Sequence, residues 1–117
     1  MAAKLSIKRV YETPSGEDGC RILIDRLWPR GLTKEKAQVD LWLKEISPSA
    51  DLRKWFGHDP EKWPEFRKKY KAEINNNAEA SQVLKNEIKK NEKVTLVYSA
   101  KDEEHNDAVV LLEVFGK

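Results

Sequence analysis

The sequence predicts an α/β fold: a small, mainly parallel sheet of three or four strands with helices packed against it. Two apolar runs, residues 20–27 and 94–99, carry Ile, Leu or Val on both faces, which is typical of strands buried inside a parallel sheet. Between them, apolar residues recur at spacings of three and four, which predicts helices. The order strand, strand, helices, strand, helix is typical of helices layered on such a sheet.

Two strands are predicted near the start of the chain. Residues 5–11 form the first, and residues 20–27 form the strongest strand, which Pro29 and Gly31 end. The connection between them, residues 12–19, is rich in turn-forming residues. Its length alone favours a hairpin, because parallel crossovers usually need a dozen residues or more.

Helix signals occupy the middle of the chain. Thr33 can cap a short helix that runs to about Val39, whereas residues 40–46 fit either period. Ser49 can cap a helix that Gly57 ends. The apolar positions of that helix are Leu52, Trp55 and Phe56.

Three further helical segments are predicted. Pro60 begins a helical turn, and Pro64 fits the first position of a helix with an apolar stripe at Phe66, Tyr70 and Ile74. Residues 78–90 form the next helix, with Val83, Leu84 and Ile88 as its stripe. Asp102 can cap the last helix, whose predicted apolar face comprises Ala108, Val109, Leu112 and Phe115.

The composition limits the possible functions. The chain of 117 residues suits one domain, spanning 1–117, and its 22 basic and 20 acidic residues give a net charge of +2. This near-balance argues against non-specific coating of DNA, although a local basic patch remains possible. The oligomeric state is left open.

Motifs for membranes, metals and cofactors are missing from the sequence. The single cysteine, Cys20, cannot form an internal disulfide or a cysteine-based zinc site. No signal peptide and no membrane-length apolar run is present, so we expect a cytoplasmic protein without a membrane partner. We expect no metal and no cofactor, because the sequence contains no HExxH, P-loop or GxGxxG motif.

Polar side chains follow two predicted strands. Asp25, Arg26 and Arg30 lie at the end of the second strand, and Lys101 follows the strand at 94–99. Ligands of open α/β sheets bind at the carboxyl ends of strands. Arginine side chains suit phosphate or carboxylate, so these residues predict an anion-binding pocket. Each of them could instead have a plain structural or surface role.

Two histidines are candidate acid–base groups. His58 lies between two helical elements, and His105 lies near the start of the last helix. Their ordinary pKa near 6.5 suits proton transfer at neutral pH, and Asp25 could orient a histidine or an arginine. A loop histidine can equally be a hydrogen-bonded structural residue.

Several blocks in one order resemble the YeaO-like family of uncharacterised bacterial and archaeal proteins, part of a superfamily of unknown function. The resemblance covers nearly the whole chain. Its blocks are DRLWPRG at residues 25–31, WLKEISPS at 42–49, LRKWFGH at 52–58, the helix at 66–73 and YSAKDEEHN at 98–106.

The resemblance implies a compact α/β fold with parallel strands, which favours a parallel crossover over a hairpin at residues 12–19. It also implies a set of recurring polar positions. They are Asp25, Arg26, Arg30, Lys44, Ser49, Arg53, His58, Tyr70, Lys101 and His105. Asp107 departs from the family pattern, in which His or Gln is common, and this makes direct participation of position 107 doubtful.

Three functional hypotheses follow. The first is a small enzyme or binding protein for an anionic, phosphate-bearing ligand. In it Asp25, His58 and His105 serve as catalytic groups, and the ligand is held by Arg26, Arg30, Lys44, Ser49, Arg53, Tyr70 and Lys101. The second is a nucleic-acid-binding module that uses basic residues interleaved with Trp42, Trp55 and Trp63. The third is a non-catalytic interaction domain in which the Arg/Asp cluster is a buried ion-pair network.

Overall fold

The structure, a computed structural model, describes residues 4–116. Four parallel strands form one sheet, with the strand order β1-β4-β2-β3. The strands are β1 (Leu5–Arg9), β2 (Cys20–Leu23), β3 (Leu41–Trp42) and β4 (Val94–Tyr98). This confirms the predicted small parallel α/β fold.

Strand β4 is the centre of the sheet. It pairs with β1 in the register Leu5↔Val94 on one side and with β2 in the register Cys20↔Val94 on the other. All five of its residues are buried. A strand hydrogen-bonded on both edges and covered on both faces must be apolar throughout, which is what the run VTLVY provides.

The connection from β1 to β2 is a parallel crossover, so the hairpin suggested by its length is wrong. Residues 10–19 pass across the sheet with only a 3-10 turn at Gly16–Asp18. The crossover closes at Gly19, whose φ is +67° and where a Cβ would collide with the Lys93 carbonyl. The Cys20 N–H then donates to that carbonyl at 2.9 Å and begins the pairing with β4.

Five α-helices flank the sheet in the described part of the chain. They are α1 (Lys34–Ala37), α2 (Ala50–Phe56), α3 (Trp63–Asn75), α4 (Ala78–Lys90) and α5 (Asp107–Phe115). Helices α2–α5 cover the face that carries Ile22 and Leu96. The opposite face, with Leu23 and Val97, is covered by α1 and the neighbouring loops. No helix within residues 4–116 is long and apolar enough to cross a membrane.

The structure also corrects several element boundaries. Strand β2 ends at Leu23, not Leu27, and Leu27 is 71% exposed in the following loop. Val83 is exposed on α4, where Ala80, Ser81 and Leu84 are buried instead. The fully buried residues of α5 are Ala108, Val110 and Leu111.

The cap of α5 is Asn106, not Asp102. The Asn106 Oδ1 accepts the Val109 N–H at 3.1 Å, and its side-chain amide donates to the Asp102 carbonyl at 2.8 Å. Asp102 instead accepts the N–H groups of Glu104 and His105 and closes the preceding turn. The helix therefore starts one turn later than predicted, and Asp107 becomes its first residue.

Candidate functional site

A cleft of about 1190 Å³ opens along the edge where β1, β2 and β4 end. Four segments line it: the end of β1 with Tyr11, the loop 25–30 after β2, residues 47–58 around α2, and residues 99–107 between β4 and α5. Because all four strands are parallel, their carboxyl ends share one edge, and this arrangement brings segments far apart in sequence together. The Tyr11 hydroxyl donates to the Arg30 carbonyl at 2.9 Å and ties the first two segments to each other.

Asp25 is held on the floor of the cleft between β2 and β4. Its Oδ2 accepts both the Ser99 N–H, at 2.8 Å, and the Ser99 hydroxyl, at 2.7 Å. Its carbonyl accepts the indole N–H of Trp42 from β3. Burial raises the pKa of Asp25, against the opposing effects of the two Ser99 hydrogen bonds and the positive charge of Arg53.

Asp107 is the second acid of the floor. As the first residue of α5, its Oδ1 accepts the Ala108 N–H at 3.1 Å. Burial, with the nearby negative charge of Asp25, raises the pKa of Asp107 to about 8, although Arg53 and the helix N–H groups oppose the shift. At neutral pH the carboxyl of Asp107 is therefore largely protonated.

Basic side chains surround these acids. Six line the cleft: Arg9, Arg26, Arg30, Arg53, Lys54 and Lys101. Arg9 donates to the carbonyls of Ala100 and Ser99. Within residues 4–116, none of the other five forms an ion pair. Against six cations stand three acids, Asp25, Asp102 and Asp107, so the cleft is net positive.

His105 is fixed at one wall of the cleft. Its Nδ1 lies 2.9 Å from the Asp102 Oδ2, and its ring packs edge-on against Trp63 with centroids 5.3 Å apart. The backbone N–H of Glu104 has the largest effect on Asp102 and lowers its pKa, and the hydrogen bond from the His105 ring lowers it further. The carboxylate form is therefore available to pair with the imidazole. Such pairing orients a histidine and fixes its tautomer.

His58 also lines the cleft, in an unusual backbone conformation. Its φ is +59°, directly after Gly57 at +51°, and its side chain is exposed beside Phe56. A left-handed conformation costs an L-residue roughly 1–2 kcal/mol. Strain of this kind at a cleft is an observation that motivates a functional hypothesis.

Replacement of His58 by glycine is expected to stabilise the protein by about 0.5–1 kcal/mol, because glycine adopts the left-handed region without strain. Chemical denaturation measures this change. Gln38→Gly is the matched control, since Gln38 has a φ of +48° at the end of α1, away from the cleft. Both variants should gain stability by a similar amount. A His58→Gly protein less stable than wild type would contradict the strain.

Three of the residues implied by the family resemblance do not line the cleft. Ser49 caps α2, and its N–H and hydroxyl both donate to Glu73 on α3. Tyr70 is buried and donates its hydroxyl to the Ile46 carbonyl at 2.6 Å. The Lys44 ammonium lies over the Trp42 ring, 5.3 Å from its centroid. Their contacts position α2, α3 and the segment that joins β3 to α2.

The other seven predicted residues are brought together in the cleft: Asp25, Arg26, Arg30, Arg53, His58, Lys101 and His105. Sequence reasoning missed Arg9 and Lys54, and it discounted Asp107. Arg9 is the last residue of a strand, so the rule that ligands lie at strand ends would have found it. No local signal in the sequence reveals that Asp107 faces Asp25, because the two are joined only through the fold.

The tryptophans pack against the protein's own groups. The indole N–H of Trp28 donates to the Leu32 carbonyl at 2.7 Å, and Trp28 contacts Trp42 edge-on. Trp55 has two ammonium groups near its ring: Lys62 at 5.2 Å and Lys69 at 4.1 Å from the centroid.

Residues 4–116 contain no group of three or more His, Cys, Asp or Glu side chains placed to hold a metal ion.

Fold and cleft define a class: a small parallel α/β protein with a basic cleft over two acids at the carboxyl edge of its sheet. Comparison with known proteins identifies the family. Residues 4–117 match the family DUF488-N3i, described as the "Inactive DUF488-N3 subclade", and the chain belongs to this family.

Relatives agree with this assignment. The chain is 42% identical over 109 residues to the uncharacterized protein YeaO of Escherichia coli, covering 93% of this chain and 94% of that protein. It is 38% identical over 82 residues to an uncharacterized protein of Mycobacterium bovis, covering 70% of each. The resemblance to the YeaO-like family is thus confirmed. No solved structure matches the chain.

Proposed function

We propose that the protein binds a small phosphate-bearing anion in this cleft. The observation that carries the proposal is the set of five basic side chains at the cleft, Arg26, Arg30, Arg53, Lys54 and Lys101, that form no ion pair within residues 4–116. Because the basic side chains of the cleft outnumber its acids, they give it a positive potential that attracts an anion. Guanidinium groups in addition offer paired N–H donors that match phosphate oxygens.

Arg53 has the central place in this proposal. It extends from the last turn of α2 and acts electrostatically on both Asp25 and Asp107, lowering the pKa of each, although burial raises both overall. It therefore supplies positive charge beside the acidic floor, and the other four basic side chains line the same cleft.

Binding without turnover agrees best with the family description, in which the subclade is called inactive. The roles proposed for Asp25, His58 and His105 are then ligand contacts. Asp25 and His105 are each held by a hydrogen-bonding partner, which makes them suitable fixed contacts for a ligand. The earlier assignment of these three as acid–base groups stays a prediction, to be tested by turnover assays.

The test is a titration of ¹⁵N-labelled protein with inorganic phosphate and pyrophosphate at constant ionic strength. Amide shifts are expected in residues 26–30, 53–58 and 99–107. Arg53→Ala should weaken binding about tenfold, since a charge-assisted hydrogen bond contributes roughly 1.5–3 kcal/mol. Lys85→Ala, which removes an exposed positive charge from α4, is the matched control and should leave the affinity unchanged.

Two results would contradict the proposal. One is the absence of shifts at the cleft with either anion. The other is equal weakening by Arg53→Ala and Lys85→Ala, which would show a general charge effect. A parallel titration with a single-stranded oligonucleotide separates the nucleic-acid hypothesis: binding that falls steeply with salt and is indifferent to Arg53 would favour it.

A further inference from the structure

We infer that the ligand of the cleft carries hydroxyl groups beside its phosphate, and that Asp25 and Asp107 bind those hydroxyls. This inference rests on the proposed function and specifies its ligand as a sugar or polyol phosphate. Both kinds of charge line the cleft: five basic side chains that form no ion pair within residues 4–116, and the two carboxyl groups of the floor.

Neither acid of the floor has protein donors at both of its carboxyl oxygens in the described region. The two donors of Ser99 both reach the Oδ2 of Asp25, and no side chain within residues 4–116 donates to its Oδ1. Asp107 accepts a backbone N–H at Oδ1 and likewise has no side-chain hydrogen bond in the described region. Each acid therefore has one carboxyl oxygen without a protein donor in the described region, and that oxygen can accept a hydrogen bond from a ligand.

The floor is unsuited to an ammonium group. Arg53 already supplies a positive charge next to both acids, and the two acids do not both ionise readily at neutral pH, since burial raises both pKa values. With Asp107 largely protonated, the Arg53 guanidinium faces at most one carboxylate charge, so the floor carries no net negative charge. An ammonium would gain little there and would be repelled by the basic side chains of the cleft.

A hydroxyl group matches the same floor. It donates to a carboxylate and accepts from a protonated carboxyl, so it can pair with each acid in either protonation state. Neighbouring hydroxyls on a sugar ring can bond to both acids at once while the phosphate remains at Arg53. A phosphate ester without hydroxyls would keep the contacts with the basic side chains and leave the floor acids without partners.

The test compares two esters of equal charge and similar size by calorimetric titration: ribose 5-phosphate and cyclopentylmethyl phosphate, which lacks the hydroxyls. Wild type is expected to bind ribose 5-phosphate at least tenfold more tightly. Asp25→Asn and Asp107→Ser should remove most of this preference, and the measured quantity is the ratio of the two affinities within each variant. Glu45→Gln, which removes an exposed acid outside the cleft, is the control and should retain the preference.

Equal affinity of wild type for the two esters would overturn the inference and leave the proposed function standing. A preference retained in both Asp25→Asn and Asp107→Ser would also overturn it. If wild type binds neither ester, the proposed function falls together with the inference. The wild-type comparison decides the matter even if one variant does not fold.

Discussion

Asp107→Asn is expected to be more stable than the wild-type protein at alkaline pH, by an amount on the order of 2 kcal/mol at pH 8.5. Asparagine keeps the shape of the side chain and the acceptor for the Ala108 N–H. It removes a charge that wild type must carry beside Asp25 in a poorly hydrated place. The benefit should disappear near pH 4, where the wild-type carboxyl is protonated in the folded state.

The sign follows from proton linkage. The folded-state pKa of Asp107 is about 8, whereas its ordinary value is 3.8. Between these values the folded state binds more protons than the unfolded state, so the free energy of unfolding falls as pH rises through this window. Asp107→Asn has no titratable proton at position 107, so its free energy of unfolding should lack this part of the decrease with pH.

Urea denaturation of both proteins from pH 4 to pH 9 measures the effect. The quantity of interest is the difference between variant and wild type, because the other titrating groups contribute similarly to both. Glu45→Gln controls for the loss of an exposed acid and should follow the wild-type profile. If the free energies of unfolding of Asp107→Asn and wild type depend on pH in the same way, the raised pKa of Asp107 is contradicted.

Arg21→Ala is expected to lower the free energy of unfolding by about 3–5 kcal/mol, the range seen when one partner of a buried ion pair is removed. The Arg21 side chain is only 3% exposed. Its Nη1 donates to the Asp18 Oδ2 at 2.6 Å, and its Nη2 donates to the Ala37 carbonyl at 2.8 Å. The substitution removes one donor from the Asp18 carboxylate and one from the Ala37 carbonyl. It also removes the hydrogen bonds through which Arg21 joins the crossover at Asp18 to α1 at Ala37.

Asp18 explains why the loss should be large. Burial opposes its ionisation, yet the Ser15 N–H, Lys8 and Arg21 together keep its pKa below the ordinary value. Without Arg21, a buried carboxylate retains only the Ser15 N–H and the Lys8 ammonium as donors to its side chain in the described region. The Asp18 carbonyl also accepts the hydroxyl of Thr95 in β4, so a shift of this turn disturbs the central strand.

The control is Arg26→Ala, whose side chain is exposed and forms no ion pair with any described residue. Surface substitutions of this kind usually change stability by less than about 0.5 kcal/mol. Thermal and urea denaturation of the two variants should therefore differ strongly. A destabilised Arg26→Ala protein would support the interaction-domain hypothesis, which places the structural ion pairs at Asp25 and Arg26. The structure places them at Asp18 and Arg21.

The elements of the fold were predictable wherever the signal is local. The apolar run of β4, the cap at Ser49 and the proline at the start of α3 all appear in the structure as predicted. Each rests on neighbouring residues: burial on both faces, a side-chain oxygen that accepts a nearby N–H, or a missing N–H that the first helical turn does not need. The boundaries were less predictable, because Leu27 looks like strand until its exposure is seen.

The location of the cleft was also predictable from the sequence, because polar residues after buried strands mark the carboxyl edge of a parallel sheet. The roles of the individual side chains at this edge were not predictable from the sequence. Tyr70 and Ser49 resemble site residues in sequence, yet their partners, Ile46 and Glu73, lie on other elements and make them structural. Hydrogen bonds between segments remote in sequence leave no periodicity to detect.

The sequence by itself therefore determined the parallel α/β class, most of the helices and the edge of the sheet where a site lies. Only the tertiary structure decided the strand order, with β4 between β1 and β2, and the meeting of Asp25 and Asp107 on one floor. The physical reason is the same in both cases. Strand pairing and the pKa of a carboxyl depend on atoms that chain folding brings near, and those atoms belong to residues far away in the sequence.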